Sequence, residues 1–159
     1  MHIKYMKRAI ELAKIAYKNG DVPVGSVIVN KEGFIIGEGY NLKELNNNPL
    51  EHAEIVAISN STKKIGQWRL NNCIIYTTLE PCLMCVGAIL HARIFKVYFA
   101  LPDFKFGAVI SKLNLLDKNN FNHQAKYNYG ILEADVKIMM QEFFLEIRKK
   151  NDNKNKSNT

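Results

Sequence analysis

The chain has 159 residues, 47% of them hydrophobic, and a net charge of +7 from 22 basic against 15 acidic side chains. That length and apolar content suit one compact domain with a sizeable core, and the longest mostly apolar run, Met84 to Leu90, is far too short to cross a bilayer. The cysteines are Cys73, Cys82 and Cys85, an odd number behind an N-terminus without a secretory pattern, which argues against a disulfide framework and fits a reducing, cytoplasmic setting.

Met6, Ala9, Ile10, Ala13, Ala16 and Tyr17 recur at steps of three and four, one face of an amphipathic helix that Asn19-Gly20 ends. Residues 22–29 and 33–40 read as two strands, and the short link Asn30-Lys31-Glu32 predicts a hairpin. A polar loop at 41–49 follows. From His52 to about Ser59 the pattern is helical, and 73–78 is a short β-branched run expected as a buried strand. Pro81 is expected to open a helix reaching His91. Residues 94–100 predict another strand, 101–129 an irregular stretch with a short strand near 126–129, and 133–150 a last helix. The organisation expected is a single domain over residues 1–150, with 151–159 as a polar, disordered tail. Strands alternating with helices after the first hairpin imply a central, partly parallel sheet covered on both faces.

Two segments carry chemistry, His52-Ala53-Glu54 and Pro81-Cys82-Leu83-Met84-Cys85. Cysteines at i and i+3 of a helix put both sulfurs on one face, a spacing that suits zinc. His52 supplies a third ligand, and three protein ligands leave a fourth tetrahedral position for water, the pattern of a catalytic site. Both segments fall at predicted helix starts, where free N–H groups and the dipole favour thiolates. Glu54, two residues beyond His52, is placed to take a proton from that water and hand it to a substrate nitrogen. Two rival readings stand beside this one. A redox Cys-x-x-Cys pair gives no role to His-Ala-Glu, and a closed structural zinc needs a fourth ligand from Cys73, His91 or His123. Cys73 reads as a small core residue, and His2 and His91 as incidental.

The positive charge suits either plain solubility or a polyanionic partner. Lys43, Lys63, Lys64, Lys105 and Lys149 are the candidates for phosphate contact, each also readable as solvated surface.

His-x-Glu followed by Pro-Cys-x-x-Cys resembles the zinc-dependent cytidine and nucleobase deaminases. Asp21-Val22-Pro23-Val24-Gly25, Gly39-Tyr40-Asn41, the run from Thr77 to Cys85, Asp103-x-Lys105-x-Gly107-Ala108, Asn122-His123 and Glu142-Phe143-Phe144 are similar specifically to the bacterial-type tRNA adenosine deaminases, over residues 5–150. The resemblance implies an α/β three-layer αβα sandwich with a five-stranded mixed sheet, one zinc per subunit, and a homodimer acting on a tRNA anticodon stem-loop. It implies hydrolysis of the wobble adenosine to inosine. Asn41 would hydrogen-bond the flipped base, Val24 and Ala53 would shape its pocket, and Asp103 would contact the RNA. The chain departs from that family's pattern at Leu42, Val109-Ile110 and Gln124-Ala125. The alternatives are a deaminase of a free base or nucleotide (guanine, cytosine or dCMP), disfavoured by the basic charge and the 103–108 segment, and a catalytically silent RNA-binding subunit, disfavoured by an intact Glu54.

Overall fold

The computed structural model describes residues 1–158. In chain order the elements are α1 (His2–Lys18), β1 (Gly25–Val29), β2 (Ile35–Tyr40), α2 (Lys43–Asn46), α3 (Ala53–Ile65), β3 (Ile74–Leu79), α4 (Leu83–His91), β4 (Lys96–Leu101), β5 (Lys126–Tyr129) and α5 (Glu133–Ser157), with a 3-10 turn at Leu115–Asp117. The strands form one five-stranded sheet in the order β2-β1-β3-β4-β5. β1 pairs antiparallel with β2 and with β3, whereas β3, β4 and β5 run parallel. The mixed, doubly covered sheet expected from the sequence is therefore the one observed.

Side-chain parity along the strands divides the core in two. Val27, Val29, Tyr76, Tyr98 and Ala100 pack with Tyr5, Met6, Ala9 and Leu12 of α1 and Val136 of α5. Ile28, Ile75, Val97 and Phe99 face the other way, against Ala57 of α3 and Val86, Ile89 and Leu90 of α4. Each such buried aliphatic side chain contributes about 1.5–3 kcal/mol by leaving water. Two glycines set the helix spacing. A Cβ on Gly25 would stand 2.0 Å from the Ala9 carbonyl oxygen, and one on Gly39 would stand 2.4 Å from that of Ala53. α1 and the start of α3 thus lie directly on the sheet backbone.

Four expectations are corrected. Pro81 precedes the helix instead of opening it: Cys82 is the N-cap of α4 and Leu83 its first residue. α3 continues beyond Ser59 to Ile65, where Gly66 in the left-handed region (φ 71°) stops it. α5 continues through 151–157, so that this part of the expected tail is helical; its Lys, Asn and Asp residues include no glycine or proline to halt propagation. His2 is not incidental, for its Nδ1 lies 2.8 Å from the Tyr76 hydroxyl and its ring stacks on Tyr98. No helix among the described residues is long and apolar enough to cross a membrane.

Candidate active site

Two helix starts meet at the amino end of β1, beside the carboxyl ends of β2 and β3. His52 is the N-cap of α3 and Cys82 the N-cap of α4, both with extended backbone (φ −71°, ψ 152° and φ −75°, ψ 176°), and neither side chain caps its own helix. Their ligand atoms are left free to point at each other, and the positive ends of both helix dipoles converge there. Cys85, in the first turn of α4, completes the group. His52 Nδ1 lies 3.6 Å from Cys82 Sγ and 3.6 Å from Cys85 Sγ. Tetrahedral zinc with ordinary Zn–S and Zn–N bond lengths requires an N···S separation of about 3.5 Å. The donor set fits that ion in spacing as well as in type.

The electrostatics of the sulfurs lead to the same conclusion. The Cys82 thiol is pulled down to about 4, chiefly by the hydrogen bond from Cys85 and then, against burial, by His52. Cys85 is pushed up, first by its hydrogen bond to Cys82 and then by burial and the nearby Glu54 carboxylate. His52 is raised by its bond to Cys82. The opposed directions favour one thiolate over two, and a bound divalent ion would supply the positive charge that a second thiolate needs.

Glu54, on the second residue of α3, is buried. Its Oε1 accepts a hydrogen bond from the Thr77 hydroxyl (3.2 Å) and its Oε2 one from Cys85 Sγ (3.5 Å). Burial above all, with the Cys82 thiolate, raises its pKa. Thr77 in turn accepts from Ser26 (2.8 Å), so that two hydroxyls on adjacent strands form a donor chain ending on the carboxylate. The sequence reading missed this chain, although its signal was there. Ser26 shares strand parity with Ile28, and Thr77 with Ile75, so both hydroxyls occupy core-facing positions.

The remaining predicted residues lie around this cluster. Asn41 is buried; its Nδ2 donates to the Val22 carbonyl (2.9 Å) and its Oδ1 accepts the Ala53 N–H (2.9 Å), tying the approach to β1 to the start of α3. Its own N–H donates to the carbonyl of Val24. Val24 and Ala53 are both buried. Asp21, which the sequence reading did not assign a role, holds the same lip by accepting the N–H groups of Val22 and Glu44. Asp103 uses Oδ1 to cap its own loop at the N–H groups of Lys105 and Phe106. That loop reaches the metal-ligand group through a bridge between Gly107 and Cys82.

The candidates for a fourth ligand lie elsewhere. Cys73 donates to the Asn71 carbonyl at the far end of β3, His91 is the exposed last residue of α4, and His123 bonds the Ile94 carbonyl. Among the described residues, His52, Cys82 and Cys85 are the only group of three or more candidate ligands so placed. A surface groove of about 700 Å³ between α1 and α5 contains none of the site residues. Chemistry, not cavity size, marks the site.

A three-layer sandwich bearing a His/Cys/Cys group beside a buried glutamate is a deaminase architecture, and the chain belongs to the MafB19-like deaminase family, whose family model matches residues 1–148. The similarity extends to particular relatives. A tRNA-specific adenosine deaminase of Bacillus subtilis is 44% identical over 146 residues, covering 92% of this chain and 90% of that one. A solved structure from a study of A-to-I editing by tRNA:A34 deaminases at the wobble position of transfer RNA superposes with a TM-score of 0.80 at 34% identity, over 84% of this chain and 96% of the other. A guanine deaminase structure from Bacillus subtilis is 43% identical with a TM-score of 0.61, over 64% of this chain and 65% of that one.

Proposed function

We propose that this protein hydrolyses the wobble adenosine of a tRNA anticodon loop to inosine, releasing ammonia, with residues 1–150 acting as one deaminase domain. The observation that carries the reading is the buried Glu54 carboxylate beside a three-ligand group, in a chain similar along nearly its whole length to tRNA-specific adenosine deaminases. His52 Nδ1, Cys82 Sγ and Cys85 Sγ would hold one zinc per subunit. When bound, zinc supplies Lewis acidity that makes a water molecule nucleophilic near neutral pH.

Proton movement falls to Glu54. As the water oxygen bonds to the amine-bearing ring carbon, a Glu54 carboxylate oxygen takes its proton and passes it to the adjacent ring nitrogen. The same carboxylate then moves the hydroxyl proton to the amino nitrogen, the C–N bond breaks, and ammonia leaves as the carbonyl forms. Thr77, backed by Ser26, fixes one carboxylate oxygen and leaves the other, on the side of the cysteine ligands, to move protons. A raised pKa suits a group that must both accept and return a proton.

The base must leave the loop stack to reach this depth, which costs a few kcal/mol. Asn41, with one amide hydrogen beyond its bond to Val22, would meet the flipped base; Val24 and Ala53 would wall the pocket; Asp103 would contact the RNA. The net charge of +7 supports a polyanionic substrate. A homodimer and a cytoplasmic location complete the proposal.

The similarity to a guanine deaminase favours a second reading, a free-base substrate at the same site. Turnover separates the two. Inosine formed in an anticodon stem-loop, with guanine, cytosine and free nucleosides left untouched, is expected; deamination of guanine or cytosine alone would reject the RNA reading.

A further inference from the structure

Glu80 lies between β3 and α4, two residues before the first cysteine ligand, and is 2% exposed. Among the described residues no lysine or arginine pairs with its carboxylate. It accepts five hydrogen bonds instead, all from one later loop. Oε1 takes the N–H groups of Val109 (3.1 Å), Ile110 (2.7 Å) and Ser111 (2.9 Å). Oε2 takes the N–H of Asp103 (2.9 Å) and the Ser111 hydroxyl. Three successive amides aimed at one oxygen form an anion cradle in which the anion belongs to the protein itself.

Other contacts converge on the same joint. The Glu80 N–H donates to Leu101 at the end of β4, and the Ala108 N–H donates to the Pro81 carbonyl. Gly107 bridges Cys82, and a Cβ there would stand 2.3 Å from the Glu80 carboxyl carbon, so only glycine admits the carboxylate at this point. The loop that Glu80 holds carries Phe104 (80% exposed), Lys105 and Phe106 (64% exposed) to the rim of the site.

We propose that Glu80 is a positioning residue: its carboxylate clamps the 103–111 loop onto the first turn of α4, so that the rim meeting the substrate and the helix bearing Cys82 and Cys85 hold one fixed geometry. This rests on the deaminase reading for its consequence but not for its geometry. Glutamine at position 80 has nearly the same shape, yet its NH₂ would face N–H or O–H donors whichever way it turned, and aspartate is one methylene too short to reach. The loop should therefore loosen while His52, Cys82 and Cys85 stay intact.

The test compares Glu80→Gln and Ser111→Ala with wild-type protein, zinc loaded. Amide exchange without RNA reads the clamp directly: Val109, Ile110 and Ser111 should exchange at least tenfold faster in Glu80→Gln, as local opening becomes easier. Zinc should stay at one per chain, and KM for an anticodon stem-loop should rise about tenfold with kcat within about threefold, a binding-side loss. Ser111→Ala, which removes one of the five donors, should shift exchange and KM the same way by less. Wild-type exchange at 109–111 in both variants would overturn the proposal, as would a fall in zinc and kcat with KM unchanged. Should Glu80→Gln fail to fold, Ser111→Ala decides alone by the same two readouts. A wild-type enzyme inactive on the stem-loop would remove the RNA substrate and leave the exchange result to judge the clamp.

Discussion

Replacing Glu54 with glutamine separates proton transfer from everything else the site does. The side chain keeps its volume, and Oε1 still accepts the Thr77 hydroxyl, so packing around β3 and α3 is preserved. Beyond the contact of Oε2 with Cys85 Sγ, what is lost is a group able to take up and release protons. Positioned acid–base catalysis is worth about 10²–10⁴ in rate, which is about 2.7–5.4 kcal/mol of barrier at 1.36 kcal/mol per tenfold. Burial raises the pKa of Glu54, so charging it opposes folding, and removing the charge should leave the melting temperature unchanged or higher. Single-turnover deamination of a stem-loop, read beside zinc content and thermal melting, should therefore show kcat down at least about 100-fold, one zinc per chain, and no loss of stability. A variant within tenfold of wild-type kcat would refute the assignment of proton transfer to Glu54.

Three further outcomes follow from the contacts described. Thr77→Val removes only the hydroxyl that bonds Glu54 and orphans the donor of Ser26, so kcat should drop about tenfold, the equivalent of a hydrogen bond to a charged group, with KM steady; Thr77→Ser should restore it, and equal kcat for valine and threonine would deny the hydroxyl a role. Gly39→Ala drives a Cβ to 2.4 Å from the Ala53 carbonyl oxygen and 2.5 Å from the Ala57 nitrogen, both backbone atoms; denaturant unfolding should show a loss of about 1–3 kcal/mol, with weaker zinc retention because His52 starts the displaced helix. Arg8 holds Glu38 by a bidentate pair (2.7 and 2.9 Å) that lowers the Glu38 pKa. Such stability is present above the ordinary carboxyl value of 4.5 and disappears as pH falls through the lowered one. Arg8→Ala should therefore cost under about 1 kcal/mol at pH 7 for this partly exposed pair, and the two unfolding curves should converge in acid.

The metal-ligand group was legible because its signal is local. Two cysteines three residues apart behind a proline place themselves, and His-Ala-Glu fixes its own helix start. The strands were legible for the same reason, since β-branched and aromatic runs such as Ile74-Ile75 and Val97-Tyr98-Phe99 occupy their expected places. What the sequence hid depends on distant partners. Glu80 reads as one polar residue in a loop, and only folding brings it the donors that lie 23–31 residues later. The ties that Asn41 makes to Val22 and Ala53 likewise join residues 12–19 positions away. The four-residue helix α2 is too short to leave a period, and α5 overran its expected end because helix propagation needs no apolar face.

Catalysis at this site requires a metal sphere that the protein leaves one ligand short, beside Glu54. X-ray absorption at the zinc edge on freshly purified, zinc-replete protein tests it most directly. One zinc per chain is expected, bound by two sulfurs at about 2.3 Å and by two lighter atoms at about 2.0–2.1 Å, only one of them histidine nitrogen. A shell of four protein ligands, or no bound zinc at all, would contradict it.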